Sequence, residues 1–343
     1  MCDVMILDSG VDQQFFRENF AASYAFEFSE EQNCFIRTEC SKDVSGHGSA
    51  CAYVISRLAP SVRFGSIRVL DADLFGHSNR LEQALRLCLT INVRILHMSF
   101  SMESLHIDEH LKHLFQKLYD QGKWVVASVK NGSYSSYPAA LPTVIGVNGT
   151  LMPESDAYWF DENKLVQAAA DLTPMWTQRE FNEYCFFGGN SKAAAVVTGH
   201  LVNQLIRHDR NETISYSALL AQLALRKKWD DGELQRMLPS DTCMPTDVGR
   251  LPRDLYTKIK KIVCSYYQHG QSDLANSHLL ISRNGIDRQR FSRFMSEIES
   301  TLGISANKMH WEFRHFTSFD HFICHIERIY HNESNTYAQG DYS

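Results

Sequence analysis

Over its first two-thirds the chain alternates between two hydrophobic periods, and few folds accommodate that. Val4-Met5-Ile6-Leu7 is an unbroken apolar run of the kind a strand buried on both faces requires, and Asp8-Ser9-Gly10 ends it. A stretch of small residues after Gly48 reads as a helix that stops before Pro60. Phe64 to Leu70 is the next strand, and Leu81, Ala84, Leu85, Cys88 and Leu89 form one apolar helix stripe. Val93 to Ser99 again reads as a strand, Leu111, Leu114, Phe115 and Leu118 as a stripe, and Trp124 to Val129 and Val144 to Val147 as strands. Small residues from Ser191 to Gly199 continue as an apolar helix to Ile206. Strands alternating with helices predict an α/β fold whose parallel sheet is covered by helices on both faces.

The pattern changes at Pro239 to Pro252, a proline-rich segment that reads as a linker. Beyond it only helical stripes occur: Leu255, Ile259, Ile262, Val263 and Tyr266; then Phe291, Phe294, Met295, Ile298 and Leu302; then Phe319, Phe322, Ile323 and Ile326. The expected organisation is an α/β domain over 1–238, a linker over 239–252, a small all-α helical bundle over 253–332 and a loose polar tail over 333–343. Charge follows the same division. Residues 250–332 carry 12 Lys/Arg against 8 Asp/Glu, and the remainder 22 against 32. Neither part is basic enough to suggest nucleic acid as a partner. No run of about 18 apolar residues exists, which argues against a membrane span. The nine cysteines form no CxxC pair, so reduced thiols in a cytoplasmic protein are expected.

Three short segments carry chemistry. They are Ile6-Leu7-Asp8-Ser9-Gly10, Ser45-Gly46-His47-Gly48-Ser49 and Gly188-Gly189-Asn190-Ser191-Lys192-Ala193. Their order, Asp then His then Ser, is that of one of the three unrelated serine-hydrolase arrangements. A fourth segment, Val125 to Gly132, ends in Lys130-Asn131-Gly132, and Tyr137-Pro138-Ala139 and Val144-Ile145-Gly146-Val147 follow it. In these blocks, over residues 1 to about 230, the chain resembles the subtilisin-like serine peptidases. The resemblance implies a subtilisin-like parallel sheet, with Asp8, His47 and Ser191 as catalytic triad and Asn131 as oxyanion donor. In the family it resembles, such a donor is worth ~2.7–4 kcal/mol. It further implies a substrate rim at Ser99, Phe100 and Ser101, and a peptide or protein substrate. It implies no cofactor and no metal at the catalytic centre.

The chemistry suits those residue types. A carboxylate at the end of a buried strand can hold the imidazole tautomer of His47, which then takes the Ser191 proton. Ser191 opens a helix of small residues, so its own N–H and the helix dipole favour a developing oxyanion. The pattern departs from the family at Lys192, Ala195, Lys130 and Ser101, where Met, Pro, Gly and Gly are usual. Lys192 is expected to add a positive charge beside the nucleophile. Only seven residues precede Asp8, so an inhibitory prodomain and an N-terminal share in a calcium site are not expected.

The tail has a resemblance of its own. Leu280 to Arg288 is similar to the segment that carries the prosthetic group in acyl and peptidyl carrier proteins, and Phe316-Thr317-Ser318-Phe319-Asp320 to the start of their last helix. Arg288 stands where the modified serine would be, so no attachment point exists. Arg288, Arg290 and Arg293 are instead expected to form a recognition face for an acidic segment of a substrate or partner. His106, Glu109, His110 and His113 are read as a solvated helix face rather than a metal site, since no further ligand cluster accompanies them. The expected function is an intracellular serine endopeptidase cleaving one precursor, for example removing a leader in peptide natural-product maturation. A ligase or macrocyclase on the same fold, or a binding protein without catalysis, are the alternatives.

Overall fold

The computed structural model describes residues 2–39, 42–102, 108–180, 183–208, 214–236, 251–267, 279, 286, 288–304, 310–316 and 318–340. The linker positions 239–250, most of the carrier-like segment, His106 and Thr317 lie outside the described residues. The chain divides into two compact units, 1–173 with 177–182 and 187–239, and 174–176 with 183–186 and 240–343.

In the first unit β1 (Val4–Asp8) leads to an edge hairpin, β2 (Phe20–Ser29) and β3 (Cys34–Thr38). α1 (His47–Leu58), β4 (Phe64–Arg68), α2 (Ser78–Thr90), β5 (Ile95–Met98), α3 (Glu109–Asp120) and β6 (Trp124–Ser128) follow in strict alternation. β7 (Val144–Thr150), β8 (Tyr158–Phe160) and β9 (Ala168–Asp171) complete one sheet. β10 (Met175–Glu180) and β11 (Glu183–Phe187) pair separately, and α4 (Gly189–Arg207), α5 (Tyr216–Leu223) and α6 (Asp231–Arg236) end the unit.

Among the described residues nine strands form the main sheet, in the order β3-β2-β4-β1-β5-β6-β7-β9-β8. The seven inner strands run parallel, and β3 and β8 are antiparallel at the two edges. The central strands β1, β5 and β6 are buried on both sides, as their continuous apolar runs predict. The faces separate at period two. Met5, Leu7, Leu96, Met98, Val125 and Ala127 join one core with Leu81 and Leu85 of α2 and Leu114, Phe115 and Leu118 of α3. The alternate residue His97 instead bonds Thr198 of α4. Each fully buried Leu or Phe of α3 contributes about 1.5–3 kcal/mol, enough to fix the helix against the sheet.

β1 is the strand at which the order reverses. The chain leaves it for β2 and β4 on one side, then returns past it to β5 and β6 on the other. A crevice opens at the carboxyl end of such a switch point, and Asp8 is the last residue of β1. Ser99 and Asn131 lie one and three residues beyond the carboxyl ends of the neighbouring strands β5 and β6.

The second unit contains α7 (Arg253–Tyr266), α8 (Arg288–Leu302), a 3-10 turn at Phe313–Phe316 and α9 (Phe319–Gly340). One aromatic-rich cluster holds it, including Ile259, Val263, Phe294, Ile298, Trp311, Phe316, Phe322 and Ile326. Two features differ from the sequence reading. The unit also takes Pro174–Trp176 and Glu183–Phe186 from the β10–β11 hairpin, with Trp176 in its core. α9 continues to Gly340, past the expected boundary at 332.

Candidate active site

Three local devices bring the site together. The first is Gly48. A Cβ on it would lie 2.0 Å from the Gly10 carbonyl oxygen and 3.1 Å from Asp8 Cβ, so only glycine lets the start of α1 press against the end of β1. The second is Asp43, whose carboxylate accepts the N–H groups of Ser45, Gly46 and Ser49 at 3.1, 2.7 and 2.8 Å. It ties down amide donors at the start of α1 that have no partner within the helix. Ser9 joins these two parts: its Oγ donates to Asp43 at 2.9 Å and accepts the Gly48 N–H at 3.1 Å.

The third device is Asn190, in the first turn of α4. Its Nδ2 donates to the carbonyls of Val129 (2.9 Å) and Lys130 (3.3 Å), and its Oδ1 accepts the Gly149 N–H at 2.9 Å. Its backbone N–H donates to Asn131 Oδ1 at 2.9 Å. One buried side chain thus fixes the loop after β6 to the helix that bears Ser191.

The predicted residues converge on this frame. His47 Nδ1 lies 2.8 Å from Asp8 Oδ1, and His47 Nε2 lies 3.1 Å from Ser191 Oγ. The Ser9 N–H also donates to Asp8 Oδ1, at 2.8 Å. The ring of Phe187 packs edge-on to the imidazole, 5.4 Å between centroids. Asp8 is fully buried, whereas His47 and Ser191 are partly open to solvent. With Asn131 Oδ1 committed to Asn190, its Nδ2 faces no partner among the described residues. The Ser191 N–H belongs to the first turn of α4, where amide donors lack helical acceptors.

Electrostatics match this arrangement. Burial alone would push the Asp8 carboxyl up, but the charge and hydrogen bond of His47, with the Ser9 N–H, hold it below its ordinary value. Burial alone would push the His47 imidazole down, but Asp8, aided by Asp43, holds it above its ordinary value. Under the triad lies a second histidine. His97 is fully buried, 2.7 Å from Ser99 Oγ and 2.8 Å from Thr198 Oγ1, and burial takes it down to about 4. Thr198 gives its proton to the Ala194 carbonyl, so it accepts from His97 Nδ1–H and leaves His97 Nε2 as acceptor for Ser99.

No family model matches this chain, and no curated protein matches its sequence. The site therefore stands on its own geometry.

The other predicted positions are distributed as follows. The Ser99 carbonyl lies 3.1 Å from Ser191 Oγ, and Ser99 Oγ, 2.7 Å from His97 Nε2, also lies 3.1 Å from the Ser191 carbonyl, so Ser99 sits directly against Ser191. Phe100 and Ser101 line a cavity together with Lys130. Lys192 does not place a free charge beside the nucleophile. It is fully buried, its ammonium 2.5 Å from Asp171 and 3.0 Å from the Ser155 carbonyl. The apolar body of α4 carries its side chain inward, where only an ion pair satisfies it. In the second unit, the Arg290 guanidinium stacks 4.8 Å over Tyr266, and Arg293 faces Glu297 at 3.6 Å. The Arg288 side chain lies outside the described residues. His110 bonds Glu82 and Arg86, and Glu109 pairs with Lys112.

One further group of donor atoms stands out. Cys51 Sγ lies within 4.8 Å of the ligand atoms of Asp8 and His47, the spacing of a metal site. Asp8 and His47 already bond each other, and burial pushes the Cys51 thiol well up, so this trio is not poised as a thiolate ligand set.

Proposed function

We propose that this protein is a subtilisin-like serine endopeptidase. The observation that carries the reading is the continuous line Asp8–His47–Ser191, at 2.8 and 3.1 Å, beside the Asn131 amide and the first turn of α4. The Ser191 oxygen attacks the scissile carbonyl, and its proton passes to His47 Nε2. Asp8 keeps the other imidazole nitrogen protonated and stabilises the imidazolium. The negative oxygen of the tetrahedral intermediate is held by the Asn131 Nδ2 and Ser191 N–H donors. His47 then gives the proton to the leaving amine as the carbon–nitrogen bond breaks. Water enters, loses a proton to His47 and attacks the ester carbonyl. Cleavage of the ester bond frees the carboxylate, and Ser191 recovers its proton.

Among the described residues no helix is long and apolar enough to cross a membrane. The test is labelling with a small uncharged fluorophosphonate, wild type beside Ser191→Ala and His47→Ala. Label on the wild type alone supports an activated serine. A folded wild type that takes no label refutes the reading.

A further inference from the structure

Lys130 precedes the oxyanion asparagine, and the peptidase reading assigns it no task. It is exposed at the end of β6, held at its backbone and free at its head. Its N–H donates to Ser136 Oγ at 2.8 Å and its carbonyl accepts from Asn190, so the Cα cannot drift. Its ammonium has no ion-pair partner among the described residues.

A cavity of about 340 Å³ opens beside it, lined by Leu70, Leu81, Phe100, Ser101, Met102 and Lys130 among others. Two of its lining segments adjoin active-site residues along the chain. Phe100 and Ser101 directly follow Ser99, whose carbonyl lies 3.1 Å from Ser191 Oγ. Lys130 directly precedes Asn131. A peptide whose carbonyl sits between Ser191 and Asn131 therefore sends a neighbouring side chain toward this wall. Beyond Met98 the backbone of β5 has left the sheet ladder, so it does not fill that space with a strand partner.

The lining is apolar apart from a few groups, of which Lys130 is the one with a permanent charge. Among the described residues no carboxylate lines the cavity. A cation at the edge of an apolar cleft, unpaired until substrate arrives, favours a side chain with an apolar stem and an anionic end.

Building on the peptidase reading, we infer that Lys130 is a specificity-determining residue that selects an acidic side chain, glutamate above all, within a residue or two of the scissile carbonyl. The acidic partner expected from the sequence is then recognised at the cleft itself. Glutamate reaches further than aspartate and leaves its methylenes on the Phe100 and Met102 surface.

Tetrapeptide diphenyl phosphonates, with Glu, Gln or Lys at each position in turn, test this directly. The rate at which each modifies Ser191 is measured in the full chain, with the small fluorophosphonate as reference. At one position Glu is expected to react roughly two- to fivefold faster than Gln, and Lys more slowly than Gln, as for a partly screened ion pair. In Lys130→Gln the Glu-to-Lys ratio falls toward one, and in Lys130→Glu it inverts. Ratios within one variant cancel any general change in reactivity. If the fluorophosphonate labels wild-type Ser191 but Glu has no advantage at any position, or the ratio ignores Lys130, the inference is wrong and the peptidase reading stands. If the fluorophosphonate itself labels nothing, both fall.

Discussion

Ser191 has one hydroxyl proton and two acceptors in reach, His47 Nε2 and the Ser99 carbonyl, each 3.1 Å away. On the peptidase reading proposed above, only the first activates the serine, so the state of His47 decides the chemistry. Asp8 fixes that state, and Asp8→Asn is expected to lower the rate of fluorophosphonate labelling by ~10⁴, since an amide cannot stabilise the imidazolium. The pair also sets opposite pH dependences for stability and activity. The Asp8 carboxyl is held below 3.8, so its contribution is present above that value and is lost as pH falls through the folded-state value. The His47 imidazole is held above 6.5, so its contribution is present below that value and is lost as pH rises through the folded-state value. Their joint stabilisation is therefore greatest between about pH 4 and 6.5, whereas labelling needs neutral His47 and rises above that window. Thermal unfolding of wild type and Asp8→Asn across pH 3–9 checks the first half. The difference in Tm should peak in the window, and a difference growing toward pH 9 would contradict the assignment. Of these residues, Asp8, His47, Asn131 and Ser191 were legible in the sequence because each sits in a short block of restricted composition. Ser9, Asp43 and Asn190 were not. Their partners are backbone amides brought near by the fold, and a lone Ser, Asp or Asn in a loop gives no sign of which amides it will meet.

The helices that present these side chains are held at their first turns. At α1 the tolerance is set by Gly48, where a methyl would sit 2.0 Å from a backbone oxygen that cannot move aside. Gly48→Ala should therefore push α1 away from β1, lowering Tm and abolishing labelling together; full activity in that variant would mean the helix has slack that the packing does not show. At α4 the tether is the Lys192–Asp171 pair, both side chains fully buried. Removing either partner takes the counter-charge from a buried ion, so Lys192→Met and Asp171→Asn are each expected to cost ~3–5 kcal/mol by urea unfolding. The double variant should cost less than either single one, because no bare charge remains. Additive losses would show that the two groups do not act as a pair. Element by element, β1, β4, β5, β6 and β7 and α1 to α4 were readable because both-face burial and a 3.6-residue stripe are strong local patterns. The edge hairpin β2–β3 is half-exposed, and β9 reads Ala-Ala-Ala-Asp, a sequence with little strand preference. Both become strands through the neighbour they pair with, which local pattern does not reveal.

At the scale of the molecule, the sequence predicts a cut near 239, where composition changes and prolines cluster. The helical part of the chain is in fact not contiguous. Its core includes Trp176, whose N–H donates to the Trp311 carbonyl at 2.6 Å, while the Phe313 N–H donates to the Pro174 carbonyl at 2.7 Å. Trp176 packs edge-on and Phe186 tilted against Phe291, at 4.7 and 5.4 Å between centroids. Phe186 precedes Gly188 by two positions and Ser191 by five. A chain ending at 238 keeps Asp8, His47 and Ser191 yet removes the cover from Trp176 and Phe186, exposing large aromatic surface. Such a truncation is expected to aggregate, or to be cut by trypsin or chymotrypsin between 175 and 187 faster than the full chain, and to label poorly at Ser191. Replacing Trp176 and Phe186 by Thr in the truncated chain should recover solubility. A 1–238 fragment that stays soluble, resists cleavage there and labels at the full rate would instead make the hairpin self-supporting, and the C-terminal helices would not be needed to keep the strand leading to the nucleophile in place.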